Sequence, residues 1–451
     1  MHKSLVRSAA AAVPLHLVAA KDASAFLAAD KARAGLAAAG FAGQGGELMP
    51  VMAGAKVAAW VLGLGDGNDP FAAAVFAEKL PNGVYHLAKT QGGETLVLAW
   101  LLGTYAFTRY KKPKTKAPRL VLPPGVDGEE ISRIAAAVFL ARDLVNTPAN
   151  DLGPDELAVA ARGLASAHGA KISVIKGAAL KRDFPLIEAV GRGSPRSPCL
   201  IDLTWGNPKA PRVTLVGKGV CFDSGGLDIK PSAGMLTMKK DMGGAAVALA
   251  VAAMVMGAKL KLRLRVLIPA VENAVSGDAF RPGDVFKSRK GLTVEIGNTD
   301  AEGRLILADA LALADEEGPD LLLDIATLTG AARVATGMEL PPFFTDDEAL
   351  AADLSRLAMA SNDPLWRLPL WQGYEFSLGS RVADLTNNPA YGYAGAITAG
   401  LFLKRFVTKT KSWAHLDIPA WNDRVRPGRP IGGEANSARA IYALLKEHYA
   451  G

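Results

Sequence analysis

Asn298-Thr299-Asp300-Ala301-Glu302-Gly303-Arg304-Leu305 places two carboxylates and a guanidinium on one short stretch. Such a set suits a hard divalent cation beside a site for an anion or a substrate oxygen. The octet follows a strand-like run (Leu292, Val294, Ile296) and precedes a helical one (Leu305 to Ala314), so the charges fall on a strand-to-helix turn. If that segment is extended, alternate side chains share a side, and Asp300, Glu302 and Arg304 all face one cleft. An N-capped helix whose acidic residues complement its dipole explains the same octet. Alone, it does not decide between the two.

A second cluster follows a strand-like run at Arg212 to Val216 and ends where an alanine-rich helix begins, at Gly243. It reads Gly217-Lys218-Gly219-Val220-Cys221-Phe222-Asp223-Ser224-Gly225-Gly226, then passes Lys230-Pro231-Ser232 to reach Met238-Lys239-Lys240-Asp241-Met242-Gly243-Gly244. Lys218, Asp223, Lys230 and Asp241 therefore lie on loops between regular elements, where α/β sheets place their ligands. A lysine among carboxylates is, on residue type alone, a salt-bridge partner.

Lys218 to Gly244 and Asn298 to Leu305 resemble the signatures of the leucyl aminopeptidase family, two-metal cytosolic exopeptidases. The residues agree in identity and in the spacing of the charged positions. Asn146-Thr147-Pro148-Ala149-Asn150, Ala326-Thr327-Leu328-Thr329-Gly330, Gly395-Ala396-Ile397-Thr398-Ala399 and His415-Leu416-Asp417-Ile418 are similar to that family as well. The likeness runs from about Asp143 to the C-terminus, and the segment before it is less diagnostic.

The resemblance implies a metal-dependent aminopeptidase acting on peptides with a free N-terminus. Two divalent ions, Zn²⁺ or Mn²⁺, are implied, with Asp223 and Glu302 bridging them, Asp300 serving one, and Asp241 with Lys218 serving the other. Four acidic groups nearly neutralise two such ions, which can activate a water and polarise the scissile carbonyl. Lysine ligates only as the neutral amine, so a neighbouring dication must lower its pKa. Lys230 is implied as an oxyanion donor. Arg304 offers a planar fork for a small carboxylate-like anion, in that family bicarbonate, which assists proton transfer from the activated water. A surface ion pair is the plain alternative for Arg304.

Met238, Thr327 and Gly330 match the family's first side-chain pocket and suggest an apolar slot, although Met238 also suits ordinary core packing. Ile418-Pro419-Ala420-Trp421 departs from the family's small-residue segment, so leucine preference does not carry over. A homohexamer of two stacked trimers and a cytoplasmic home are further implications. A catalytically silent relative acting as scaffold or nucleic-acid binder is the competing reading.

Composition agrees with an ordinary globular enzyme. The chain has 451 residues, enough for two domains with separate cores. Half are apolar and 21% charged, which excludes wholesale disorder. Two cysteines, Cys199 and Cys221, are too few for a disulfide framework. Lys, Asp, Arg or Gly interrupts each long apolar run, so no transmembrane helix is expected. His2, Lys3 and Arg7 before an alanine-rich stretch look superficially like a signal peptide. Pro14 and His16 break that stretch, and Val13 to Val18 better suits a first strand.

The formal charge is +7. Part of the surplus lies in Lys111-Lys112-Pro113-Lys114-Thr115-Lys116, which lacks interleaved aromatics beyond Tyr110 and reads as a solvated loop rather than a nucleic-acid contact.

The pattern predicts an α/β protein. Residues 1–125 form a smaller N-terminal domain, with strand-like runs at Val57 to Leu62 and Thr95 to Leu101 and helical ones at Ala23 to Ala38 and Phe71 to Leu80. Residues 126–150 form a linker and connecting helix, Glu129 to Val145. Residues 151–451 form the larger C-terminal catalytic domain. There, strands at Lys171 to Val174, Leu200 to Thr204, Arg212 to Val216, Leu262 to Pro269 and Leu321 to Ile325 alternate with helices. That alternation implies a mainly parallel or mixed sheet flanked by helices.

Asp223-Ser224-Gly225-Gly226 has the look of a serine-protease motif, but its α/β setting argues against that. A Ser-His-Asp triad would rest on His415 and Asp417; supporting the core near the site suits His415 better. Gly217-Lys218-Gly219 and Gly63-Leu64-Gly65-Asp66-Gly67 lack phosphate-loop spacing and read as turns.

Overall fold

The computed structural model describes residues 1–89, 92–112 and 117–450. Pro113 to Lys116 of the basic run lie outside the described residues. The chain forms two compact units, Met1–Phe139 with Arg424–Ile431, and Leu140–Asp423 with Gly432–Gly451. The division falls within one helix, Gly128–Asn146.

The first unit holds a six-stranded sheet. Its order is Leu5–Val6, Arg119–Val121, Val84–Leu87, Val13–Val18, Lys56–Gly63 and Leu48–Ala53. All neighbours run parallel except the last pair, an antiparallel hairpin.

Thr95 to Leu101, expected as a strand, is helical within Gly93–Gly103. The run is apolar on every side because the helix is buried on nearly every side, so it carries neither a strand's alternation nor a surface helix's stripe. Gly103 lets this helix pass close to its neighbour: a Cβ there would stand 2.5 Å from the Ala74 carbonyl oxygen. Ala23 to Ala38 is likewise not one helix; Asp30 interrupts it and its side chain accepts from the Ala32 N–H.

Arg424–Ile431, far along the chain, belongs to this unit. The Gly428 N–H donates to Glu78 Oε1 at 2.7 Å, and the Arg429 guanidinium lies over the Phe71 ring.

The second unit is built on a nine-stranded mixed sheet. Its path is Trp366–Arg367, Pro342–Phe344, Trp413–Asp417, Leu321–Ala326, Arg212–Gly217, Arg263–Asn273, Cys199–Gly206 and Lys171–Ile175, with Gly219–Asp223 paired to Arg263–Asn273 off that path. The central strands are parallel, whereas the Cys199–Gly206 and Lys171–Ile175 edge is antiparallel. Gly243–Ala258 packs on one face, and Gly303–Glu316 with Pro185–Gly191 on the other. Both faces being covered, the central strands carry long apolar runs, such as Val266 to Val271 and Leu321 to Leu323.

Met238–Ala258 is long and apolar enough to cross a bilayer by composition, yet 83% of its apolar window is buried inside the protein. It is a core helix.

Candidate active site

Lys218 sits at a break between two strands. Arg212–Gly217 pairs with the first half of Arg263–Asn273, and Gly219–Asp223 pairs with its second half. Gly217 and Gly219 flank the break because no side chain fits. A Cβ on Gly217 would stand 2.7 Å from Ala245 Cα, and one on Gly219 2.6 Å from the Pro269 carbonyl oxygen. The Lys218 backbone is pinned by its N–H to the Ile325 carbonyl and by the Ala245 N–H to its own carbonyl, at 3.0 and 2.9 Å. Its side chain thus leaves the sheet at a fixed point.

The acidic residues come from three further segments. Asp223 ends its strand, and its Oδ1 accepts from the Gly225 N–H and from Asn273 Nδ2, both at 2.9 Å. Asp241 lies in the 3₁₀ turn Met238–Met242, held by Thr327 Oγ1 at 2.7 Å. Asp300 and Glu302 precede the helix Gly303–Glu316.

Their common direction does not come from strand alternation. Thr299 and Asp300 form a turn, Glu302 is already helical in backbone, and Arg304 is the second helical residue. A turn followed by a helix start aims all three charges into one cavity. Thr299 clasps this loop to the preceding one, its N–H donating to Asp228 Oδ2 at 2.7 Å and its hydroxyl to the Gly225 carbonyl at 2.6 Å.

One carboxylate oxygen each from Asp223, Asp300 and Glu302 lie within 4.8 Å of one another. Lys218 Nζ stands 2.8 Å from Asp241 Oδ2 and 2.9 Å from Glu302 Oε1, and donates to the Thr327 carbonyl at 3.0 Å. Lys230 Nζ bridges Asp223, at 2.8 Å, and Asp300. Asp241 Oδ2, Asp300 Oδ1 and Glu302 Oε1 are buried and face these ammonium groups.

Burial and the Asp241 charge push the Asp223 carboxyl up to about 6. Burial and Asp223 push Glu302 well above the usual carboxylate range. Burial opposes charge on Lys218, but Asp241, Glu302 and Asp223 outweigh it and raise its pKa. Lys230 is raised in the same way, against burial, chiefly by Asp223.

Four carboxylates face two ammonium groups here, so the cluster takes up protons readily. Divalent cations satisfy the same surplus, and oxygens with uncommitted lone pairs at this spacing are the donors such ions take. The residues fit a metal centre.

Arg304 is buried, which pushes its pKa down to about 10. Its Nη1 donates to the Asn387 carbonyl at 2.8 Å, and its Nε has no partner among the described residues. It is therefore not a surface ion pair.

Lys218, Asp223, Lys230, Met238, Asp241, Asp300, Glu302, Arg304, Thr327 and Gly330 all line one cavity of about 390 Å³. Asp417 holds the lining residues Leu328 and Thr329, with Oδ1 accepting from the Leu328 N–H at 2.9 Å and Oδ2 from Thr329 Oγ1 at 2.7 Å. His415 pairs with Asp324 at 2.6 Å and stacks on Phe344 within the core. Ser224 donates to the Asn273 carbonyl, so no Ser-His-Asp triad forms with His415.

Two lining cations escaped the sequence reading: Lys240, which burial pushes down to about 8, and Arg333. Nothing in residue type separates Lys240 from its neighbour Lys239, whose ammonium donates to the Asn146 carbonyl.

Residues 139–442 match the catalytic domain of the cytosol aminopeptidase family, and residues 13–123 match the N-terminal domain of M17 aminopeptidases. A probable cytosol aminopeptidase of Chlorobium phaeobacteroides is 39% identical over 436 residues, covering 86% of each chain. The crystal structure of the cytosol aminopeptidase from Coxiella burnetii is 45% identical, with a TM-score of 0.96 over 99% of this chain and 100% of that one. The bottromycin maturation enzyme BotP in complex with Mn is 35% identical, with a TM-score of 0.87 over 98% of this chain and 100% of that one.

Proposed function

This chain belongs to the cytosol aminopeptidase family, and from that premise we propose that it releases N-terminal residues from peptides at a two-metal centre formed by Lys218, Asp223, Asp241, Asp300 and Glu302. The observation that carries the reading is the set of four carboxylates and Lys218 converging on one cavity, three of the carboxylate oxygens within 4.8 Å.

Asp223 and Glu302, most deeply buried of the acids, would bridge the ions. Asp300 would serve one, and Asp241 with Lys218 the other. Lys218 joins as the neutral amine, giving up the proton it shares with Asp241 and Glu302. When bound, the ions supply an activated water and a Lewis-acidic site for the carbonyl. Zn²⁺ and Mn²⁺ both suit the mixed oxygen and amine donors.

Lys230 keeps its proton. Anchored between Asp223 and Asp300, it presents an ammonium to the oxyanion of the tetrahedral intermediate. Arg304, with one N–H on Asn387 and Nε without an acceptor among the described residues, would hold a small anion such as bicarbonate, which would supply a proton acceptor beside the site. The free α-amine of the substrate binds at the acidic end, which limits productive binding to chain ends. A cytoplasmic homohexamer that binds neither membrane nor nucleic acid completes the proposal.

The test is hydrolysis of aminoacyl reporters with and without chelator. Turnover that disappears with chelator and returns with Mn²⁺ or Zn²⁺ supports the reading. No turnover under any metal, together with salt-sensitive DNA binding, overturns it in favour of a silent scaffold.

A further inference from the structure

Lys240 is only 3% exposed and lines the cavity, and its ammonium has no hydrogen-bond or ion-pair partner among the described residues. Arg333, on the short helix Gly330–Thr336, lines the same cavity and is likewise unpartnered among the described residues. Its Nη2 lies 3.7 Å from where a Cβ on Gly330 would stand, so the guanidinium reaches back towards that lining residue.

The nearby carboxylates are already engaged. Asp241 Oδ1 accepts from Thr327 and its Oδ2 faces Lys218, while Asp417 serves the Leu328 and Thr329 N–H groups. The lining also includes the apolar side chains of Met238, Leu328, Ala331 and Ile418. Beside its carboxylate cluster the cavity thus holds two cationic side chains with no hydrogen-bonded or ion-paired acceptor among the described residues.

We propose that Lys240 and Arg333 select peptides whose N-terminal residue has a carboxylate side chain, glutamate or aspartate. This rests on the aminopeptidase reading above and names its substrate class. An unpaired buried ammonium is unfavourable, and an entering carboxylate supplies the missing charge-assisted hydrogen bonds. Arg333 adds a planar fork matched to carboxylate geometry. The aliphatic stem of glutamate packs on Met238 and Ala331, while the α-amine is received beside the carboxylate cluster. A leucine side chain strips Lys240 of water and gives nothing back, so apolar residues are selected against.

The experiment compares kcat/KM of the Mn²⁺-loaded enzyme on Glu, Asp, Gln, Leu and Met reporters. Glu is expected to exceed its isostere Gln by about tenfold or more, because the missing charge leaves a buried cation unpaired. In Lys240→Met, an apolar replacement of similar length, the Glu-to-Leu ratio should fall by about the same factor, and Arg333→Leu should lower it further. Equal rates on Glu and Gln with Leu preferred, and no change of ratio in either variant, overturn the assignment.

Leu-Gly and Leu-Gly-amide form a separate arm. A strong preference for the free acid there, without any gain for Glu, assigns the cations to the peptide C-terminus and also overturns it. If no reporter is cleaved, the aminopeptidase reading fails by itself. Calorimetry of L-glutamate against L-glutamine binding then still decides the pocket, tighter glutamate supporting it and equal affinity refuting it.

Discussion

Lys218 and Lys240 line one cavity and are equally buried, each 3% exposed, yet they have opposite surroundings. Lys218 has Asp241, Glu302 and the Thr327 carbonyl within 3.0 Å. The Lys240 ammonium has no hydrogen-bond or ion-pair partner among the described residues. Burial disfavours charge on both, but surrounding carboxylates raise the first, whereas the second is pushed down to about 8. Partners, not depth, decide what a buried lysine does. A crowd of carboxylates around Lys218 lets metal take the place of protons, and the vacancy around Lys240 invites an anion.

The largest effect expected on the acidic end comes from Asp223→Ala. Removing a bridging donor should lower kcat by about 10³-fold or more. Circular dichroism should show the fold retained, and near-normal rates would refute the bridging role.

Replacing each lysine by methionine sharpens the contrast next, read by denaturant unfolding of the metal-free protein. Lys218→Met leaves Asp241 and Glu302 without their buried cation and should destabilise by about 3–5 kcal/mol. Lys240→Met removes an unpaired charge and should be neutral or stabilising by about 1 kcal/mol. Similar losses in both variants would erase the distinction.

The smallest effect is a pH dependence. Raised carboxylates such as Asp223 and Glu302 stabilise the metal-free fold when protonated. That stability is full below the unfolded value near 4 and, for Asp223, lost as pH rises through about 6. Mn²⁺ favours the ionised forms, so its upward shift of Tm should be larger near pH 8 than near pH 5, by about 2 °C or more. An equal or smaller shift at the higher pH would contradict the coupling.

Much of the catalytic unit was legible because its signals are local. Strands from Lys171, Cys199, Arg212, Arg263 and Leu321 begin and end close to where β-branched and leucine runs do. Elsewhere local signals were silent or misleading. Thr95 to Leu101 reads as a strand and is a helix, since total burial removes the period that tells the two apart. Arg424–Ile431 carries no mark of its place in the first unit, which rests on contacts such as Gly428 with Glu78, some 350 positions away. The grouping of Asp300, Glu302 and Arg304 was anticipated through an extended segment, but a turn and a helix start produce it.

From residue order alone follow the family, the α/β class and the ten positions expected around the reaction, because type and spacing are written in the chain itself. Packing alone assigns each charge its partner. Lys239 and Lys240 are adjacent and identical in type; one ends on a backbone carbonyl and the other in the cavity, its ammonium without a hydrogen-bonded or ion-paired acceptor among the described residues. A side chain's electrostatic state depends on what the fold brings within a few ångströms of it, and those neighbours come from segments distant in sequence.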